Sequence, residues 1–145
     1  MTDHVLIVSL GPVQGFIAAA RRSRDLWSGS WLLSEISKAA ALALQNTGAH
    51  LIFPAPGSDL TPGSDFSVGN KVQAVVSADR DDVVRNTAQA AAHAARMRFI
   101  ELAQMARSRL PSGSALRNDV WQSQLDDYVE SFAAWATVGE AGYAE

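Results

Sequence analysis

The sequence contains no cysteine, which excludes disulfide bridges, thiolate zinc sites and a thiol nucleophile. No apolar run approaches the roughly 20 residues that a membrane-spanning helix needs, and no basic flank precedes the apolar run at 5–8. The net charge is −3, from 12 basic and 15 acidic residues, which excludes a strongly basic nucleic-acid wrapper but not a local basic patch. We therefore expect a cytoplasmic protein without a signal peptide or a membrane partner.

The familiar catalytic motifs are also missing. His4, His50 and His93 fall in different predicted elements without the spacing of metal ligands, and there is no nucleophile elbow, P-loop or dinucleotide fingerprint. The aspartate pairs at 81–82 and 126–127 fall in predicted helices, where acids serve as caps or as a solvated face. The sequence thus predicts no standard active site.

The order of predicted elements indicates the fold. A chain of 145 residues is the size of one domain, so we expect a single domain over residues 1–145. The order is typical of an α+β, ferredoxin-like βαββαβ domain. It has a long second helix and an extra C-terminal helix. The pattern predicts strands at 5–10, 50–53 and 71–77, and helices at 15–28, 30–45, 79–109 and from 118.

Three details of this prediction are specific. The loop after the second strand, rich in proline and glycine, is expected to form a long exposed hairpin tip. Ser30 is expected to cap the second helical piece after a break at 28–30. The last helix is expected to carry an aromatic side, and the fourth strand, around 136–140, is expected to be weak or truncated. The aromatic side comprises Trp121, Leu125, Tyr128, Phe132 and Trp135.

Residues 11–34 carry the strongest functional signal. A Gly-Pro turn ends the first strand, and three arginines follow at 21, 22 and 24. Their forked donors suit phosphate, Trp27 offers a flat apolar face, and Gly29 permits close backbone approach. One interpretation is a phosphate or nucleotide platform. The other is a solvated arginine face with Trp27 and Trp31 in the core, and for the two tryptophans we expect the core.

A palm domain that transfers nucleotidyl groups needs acids for two metal ions, after the first strand and in the hairpin turn. The first strand ends Val-Ser-Leu-Gly at 8–11, without an acid. The hairpin loop contains Asp59 and Asp65, each after Gly-Ser, but neither has a second acid beside it. By these criteria the domain is catalytically empty.

The motif also resembles a known family. Residues 11–17 read Gly-Pro-Val-Gln-Gly-Phe-Ile, and residues 20–34 read Ala-Arg-Arg-Ser-Arg-Asp-Leu-Trp-Ser-Gly-Ser-Trp-Leu-Leu-Ser. This is similar to the N-terminal region of the large, palm-containing subunit of type III-B CRISPR effector (Cmr) complexes. Weaker similarity covers residues 52–54 and residues 68–71, where Gly69 replaces the family's proline. Trp121 and the Phe-Ala-Ala-Trp run at 132–135 are similar to the family's aromatic helix.

The resemblance implies that this chain performs only part of the function of the large subunit. The paired-aspartate turn and the His-Asp nuclease module of relatives are absent. The chain therefore looks like the first, degenerate palm-type domain, adenylyl-cyclase-like in fold and cut from a larger subunit, without catalytic or metal residues. It would help to hold ATP, with Mg²⁺ or Mn²⁺, against a second palm during cyclic oligoadenylate synthesis, and no tight binding is expected to this chain alone. Further implied partners are the other effector subunits and, indirectly, guide and target RNA. The residues expected to face nucleotide or the second palm are Gly11, Gln14, Arg21, Arg24, Ser28 and Ser30.

Two alternatives stay open. The chain could be a pure interaction module, whose long alanine-rich helix docks a partner without any nucleotide. It could also be a small stand-alone nucleotidyl cyclase that uses Asp59, Asp65 or the helical aspartate pairs.

Overall fold

The computed structural model describes residues 1–139, which form four strands and four helices. The strands are β1 (Thr2–Gly11), β2 (His50–Phe53), β3 (Lys71–Ala78) and β4 (Glu130–Thr137). The helices are α1 (Val13–Ala19), α2 (Ser23–Asn46), α3 (Asp81–Ser108) and α4 (Asn118–Asp127). Among the described residues, no helix is long and apolar enough to cross a membrane.

The strands form one antiparallel sheet in the order β2-β3-β1-β4. This order, with helices between β1 and β2 and between β3 and β4, is that of a ferredoxin-like βαββαβ domain, which confirms the predicted fold class. The helices α1 and α2 together fill the first crossover. The N-terminal strand β1 is central, because it pairs with β3 on one side and β4 on the other.

The core lies between one face of the sheet and helices α2 and α3. Alternate residues of β1 and β3 point to this face, as period-two patterning requires, while every second residue points away. The middle of α2 is buried on several sides because it packs against both the sheet and α3. The core side chains of these elements include Leu6, Val8, Leu10, Ile36, Ala40, Leu44, Val72, Ala74, Val76, Val84, Ala88, Ala91 and Ala95.

The opposite face of the sheet is not covered by any described element. The register places Val5 of β1 between Val75 of β3 and Ala136 of β4, and Ile7 beside Ala134. The last apolar member of this face, Phe132, is 69% exposed. An uncovered apolar sheet face of this kind marks an interaction surface.

The predicted break in the first crossover is in the wrong place. Helix α2 begins at Ser23 and continues through 28–30, so Ser30 is not a cap, and the chain breaks instead at 20–22. The carboxylate of Asp25 accepts the backbone N–H groups of Arg21 and Arg22, both at 3.0 Å, and so satisfies the free donors at the helix start. Gly29 is buried inside α2, where a Cβ would lie 3.2 Å from the Cβ of Phe16.

The expected aromatic helix is shorter than predicted and the fourth strand is longer. Helix α4 ends at Asp127, and Phe132 and Trp135 lie on β4, eight residues that pair with β1 along their length. Alanines favour a helix by propensity, and the i, i+3 spacing of the two aromatics imitates a helical side, but pairing with the central strand overrides both. Trp135 donates its indole N–H to Asp81 of α3 at 2.5 Å.

The other two elements largely follow the sequence pattern. Helix α3 covers most of the predicted 79–109, although Arg80 rather than Asp79 precedes its first turn. Strands β2 and β3 pair as a hairpin, and most residues of the long loop between them are exposed. The loop is nevertheless anchored, because its Pro54, Leu60 and Val68 are buried and it folds back onto α2.

Candidate functional site

One face of the N-terminal half of α2 is exposed and carries most of the unusual side chains. Because residues three and four apart share a helical face, Arg24, Trp27, Ser28 and Trp31 lie together, opposite the buried Gly29. Trp27 is 71% exposed and Trp31 39%, so the expectation that both are core residues is wrong. The core is completed instead by smaller residues further along the helix.

This face borders a cleft of about 390 Å³, which we call the aromatic cleft. Helix α2 forms one wall and the loop at 63–68 forms the other. A cleft of this size lies within the range of about 300–1,000 Å³ that is usual for small-molecule sites. Its lining comprises Trp27, Ser30, Trp31, Ser34 and Lys38 from α2, with Gly63, Ser64, Asp65, Phe66, Ser67 and Val68 from the loop.

A buried ion cluster holds the loop wall in place. The Nζ of Lys38 donates to Glu35 Oε1 at 2.8 Å, to the Ser64 carbonyl at 2.7 Å and to Ser64 Oγ at 3.1 Å. Glu35 Oε2 accepts the Gly63 backbone N–H at 2.9 Å and the Arg98 guanidinium at 2.6 Å. We call Glu35, Lys38 and Arg98 the Glu35 cluster. It joins α2, α3 and the loop at one point.

The electrostatics of this cluster favour the ionised forms. Burial opposes ionisation of Glu35 and is the largest single influence on its pKa. The hydrogen bonds from Lys38, Arg98 and the Gly63 amide together outweigh it, so the pKa of Glu35 lies below its usual value. Burial likewise opposes the charge of Arg98, but its bonds to Glu35 and Glu101 raise its pKa. Glu35 and Arg98 are therefore both charged at neutral pH.

The six residues expected at the site are distributed over three places. Gly11 ends β1 beside Glu130, and Gln14 is exposed on α1; neither lines the cleft. Arg21 is exposed just before α2, where only its backbone N–H is engaged, by Asp25. Arg24, Ser28 and Ser30 are exposed on α2, and of these only Ser30 lines the cleft.

Asp25 and Ser28 both make contacts within the start of α2. Asp25 accepts the backbone N–H groups of Arg21 and Arg22, and its nearest cation is Arg24 at 3.9 Å. The Ser28 hydroxyl donates to the Arg24 carbonyl at 2.8 Å, so it is engaged within its own helix. The three arginine side chains are exposed at or just before the start of α2, and none of them lines the cleft.

Sequence reasoning missed the Glu35 cluster and the loop wall. The sequence did contain one signal for the cluster: Glu35 and Lys38 fall on the apolar stripe of α2 that is buried. Charged side chains are buried in proteins only when they form ion pairs or hydrogen bonds. Their partners lie 25 or more residues away, on α3 and in the hairpin loop, and no local pattern connects them.

The acids do not form a metal site within residues 1–139, where no three His, Asp or Glu side chains cluster. Asp59 accepts the backbone N–H of Thr61 at 3.0 Å, and hydrogen bonding to Thr61 holds the pKa of its carboxyl below the usual value. Asp81 and Asp82 pair with Arg85 and Arg80 at the start of α3. The contact of Asp59 is that of a turn, and those of Asp81 and Asp82 are exposed ion pairs in the first turn of a helix.

One family model matches this chain. It is described as CRISPR-associated protein Cmr2, N-terminal, and it matches residues 5–105, which run from β1 through most of α3 and include every residue of the aromatic cleft. No curated protein matches the chain.

Proposed function

This chain belongs to the N-terminal family of CRISPR-associated protein Cmr2, and from that premise we propose that it is a non-catalytic, palm-like domain of the large subunit of a type III-B effector complex. In this proposal the domain helps to hold ATP against a second palm domain of the same subunit, and the full subunit makes cyclic oligoadenylate. It also contributes to assembly with the other effector subunits, and it meets guide and target RNA only through them. The proposed location is the cytoplasm.

The observation that carries the nucleotide part of the proposal is the exposed face of α2. Three arginine side chains are exposed at or just before the start of α2. One turn after Arg24 on the same helix, Trp27 lines a cleft together with other aromatic residues and serines. Arginine provides forked donors for phosphate oxygens, and aromatic rings provide flat surfaces for bases. Trp27 and Trp31 are both exposed on this face, and a contiguous exposed apolar patch is typical of a binding surface.

The uncovered sheet face supports the assembly part of the proposal. It lies on the side of the sheet opposite α2, and its apolar residues on β1, β3 and β4 would be buried by a partner subunit of the complex. Because the described residues offer no acid cluster, the proposal assigns Mg²⁺ or Mn²⁺ to the second palm. The present domain would contact only the nucleotide.

The test is performed in the assembled complex with the full-length subunit. In the test variant, Arg21, Arg22 and Arg24 are replaced by Gln. In the matched control variant, three exposed arginines elsewhere are replaced by Gln: Arg96, Arg109 and Arg117. The proposal expects the first variant to lose most cyclic oligoadenylate output while the complex still assembles, and the control to keep its output. Unchanged output from the first variant contradicts the nucleotide role.

A second candidate is a pure assembly module. The observation in its favour is α3, whose exposed Met97 and Met105 lie on a helix that extends past the buried seam. Loss of assembly, rather than of product, in the arginine variant would favour this candidate. A stand-alone cyclase that uses Asp59 or Asp65 is rejected if the purified chain forms no product from ATP with Mg²⁺ or Mn²⁺.

A further inference from the structure

Strand β4 is an edge strand whose outer backbone has no partner within residues 1–139. It lies at one end of the sheet order β2-β3-β1-β4 and pairs only with β1. It contains no lysine, proline or glycine, and it keeps one register with β1 over all eight residues. Native edge strands are commonly short, bulged or interrupted by proline or lysine, because a free edge pairs readily with another strand. None of these protections is present in β4.

The other edge of the sheet is protected in the usual way. Strand β2 has only four residues, its register with β3 shifts between Leu51 and Phe53, and Pro54 follows it directly. Each of these features opposes the addition of a further strand. The free edge of β4 is therefore a specific surface of this domain and not a general property of its sheet.

The hydrogen bonds of β1 identify which backbone groups of β4 point outward. In an antiparallel pair, opposite residues alternate between those that exchange hydrogen bonds and those that do not. The Val138 N–H donates to the Asp3 carbonyl at 2.8 Å. On the β3 side of β1, the Leu10 N–H donates to the Asn70 carbonyl, also at 2.8 Å. Even-numbered residues of β4 therefore bond to β1, and the N–H and C=O groups of the odd-numbered ones point to the free edge. The outward residues are Ser131, Ala133, Trp135 and Thr137.

The outward groups are complementary to those of a second copy of the same strand. A two-fold axis normal to the sheet at Ala134 places Ala133 opposite the partner's Trp135. The same axis places Ser131 opposite the partner's Thr137. Each such pair can exchange two backbone hydrogen bonds, and this register brings all of the outward residues of both copies opposite one another.

The side chains match in the same register. Opposite residues of an antiparallel pair lie on the same face, so Phe132 meets the partner's Ala136 on the uncovered face. On the face toward α3, Trp135 meets the partner's Ala133, and a large side chain again lies opposite a small one. The only charged residue of the strand, Glu130, lies opposite the partner's Val138, so no like charges are brought together. These matches of size and charge favour a second copy over a strand of unrelated sequence.

We propose that two copies of this chain associate through β4, in antiparallel orientation, to form one continuous sheet. The interface is isologous, because the same strand contributes to both sides of the two-fold axis. The inference does not depend on nucleotide binding, since the exposed arginines and the aromatic cleft belong to α2 and the hairpin loop. Its failure therefore leaves the proposed function unchanged.

An engineered cysteine tests the contact directly, because the sequence has no cysteine of its own. Ala134 would face itself across the axis in a pair without hydrogen bonds, where Cα atoms lie about 4.5 Å apart and a disulfide can form. Ala134→Cys should therefore give a covalent dimer under mild oxidation on a non-reducing gel. Ala136→Cys is the matched control, since it is also an exposed alanine on the uncovered face but faces the partner's Phe132. It should remain monomeric on the gel.

Proline substitution tests the backbone pairing. Ala133→Pro removes an outward N–H and keeps the bonds to β1, so it should weaken the dimer roughly 10-fold or more in sedimentation equilibrium, since both copies lose a bond. Ala133→Ser keeps the N–H and should associate like the unmodified chain. Ala134→Pro removes the N–H that bonds to Ile7, so it should lower the Tm more than Ala133→Pro does. The cysteine comparison does not depend on the folding of the proline variants.

The proposal is overturned if the unmodified chain stays monomeric at millimolar concentration, since its outer edge would then have no affinity for a second copy. Equal cross-linking of Ala134→Cys and Ala136→Cys would show a different contact, such as the uncovered sheet face, and would also overturn it. The same holds if Ala133→Ser weakens association as much as Ala133→Pro, or if Ala133→Pro lowers the Tm as much as Ala134→Pro.

Discussion

Neutralising Glu35 should destabilise the domain more than any other conservative change on α2. Its side chain is 0% exposed, and it is bonded to Lys38 and Arg98, whose side chains are 2% and 11% exposed. Glu35→Gln keeps the shape but leaves two cations beside a neutral amide in a buried site. Breaking a buried ion pair by removing one partner costs about 3–5 kcal/mol.

The melting temperature provides the measurement. At about 2–4 °C per kcal/mol for a domain of this size class, Glu35→Gln should lower the Tm by roughly 6–20 °C in a thermal unfolding scan followed by circular dichroism. Glu101→Gln is the matched control, since Glu101 also bonds Arg98, at 2.8 Å, but is 60% exposed. For an exposed pair the expected cost is below about 1 kcal/mol.

The reasoning would be refuted by equal shifts for the two variants, or by a Glu35→Gln protein as stable as the unmodified chain. A double variant, Glu35→Gln with Lys38→Met, gives a further check. Because it removes a cation together with the anion, it should be less unstable than the sum of the two single changes.

The remaining predictions concern the same helix. The pKa of Glu35 is lower in the folded state than in the unfolded state. The ionised Glu35 therefore contributes its full share of the unfolding free energy above the unfolded pKa of about 4.3, and this share is lost as the pH falls through the folded pKa. In acid unfolding, the stability of the unmodified chain should thus fall more steeply than that of Glu35→Gln. Asp25→Ala should cost about 0.5–2 kcal/mol in urea unfolding, because the backbone N–H groups before α2 lose their acceptor, and full stability would contradict the capping role. Leu44→Ala, at a position that is 0% exposed, should cost about 2–5 kcal/mol in the same assay, and a cost below 1 kcal/mol would show that the α2 core is loosely packed.

The fold class could be predicted because the pattern that determines it is local. The apolar run of β1, the valine alternation of β3 and the apolar seam of α3 each identify their element within one short segment. β4 could not be delimited, since Ala133, Ala134 and Ala136 have helical propensity. Its strand conformation depends on pairing with β1, more than 100 residues earlier in the chain.

The candidate site was only partly predictable, for the same reason. The exposed arginines and their neighbourhood follow from sequence, but the exposure of Trp27 and Trp31 does not. Large aromatic side chains at helical spacing are usually buried in the core. Here the loop at 63–68 forms the opposite wall of the cleft and does not cover Trp27 and Trp31. The position of that loop depends on Glu35 and Lys38, and their partners could not be inferred without the tertiary structure.

The central place of β1 has a consequence for synthesis of the chain. β1 leaves the ribosome before both of its neighbouring strands. Ser9 pairs with Lys71 and Gly11 pairs with Glu130, so neither pair can form until the later residue has been synthesised. During that interval its backbone donors and acceptors have no strand partner, and Leu6 and Val8 have no complete core. Contacts between segments so far apart in sequence also slow folding, because a long loop must close before they form. The nascent domain is therefore most exposed to aggregation before β4 is made, and a chain that stops before residue 130 should fold poorly.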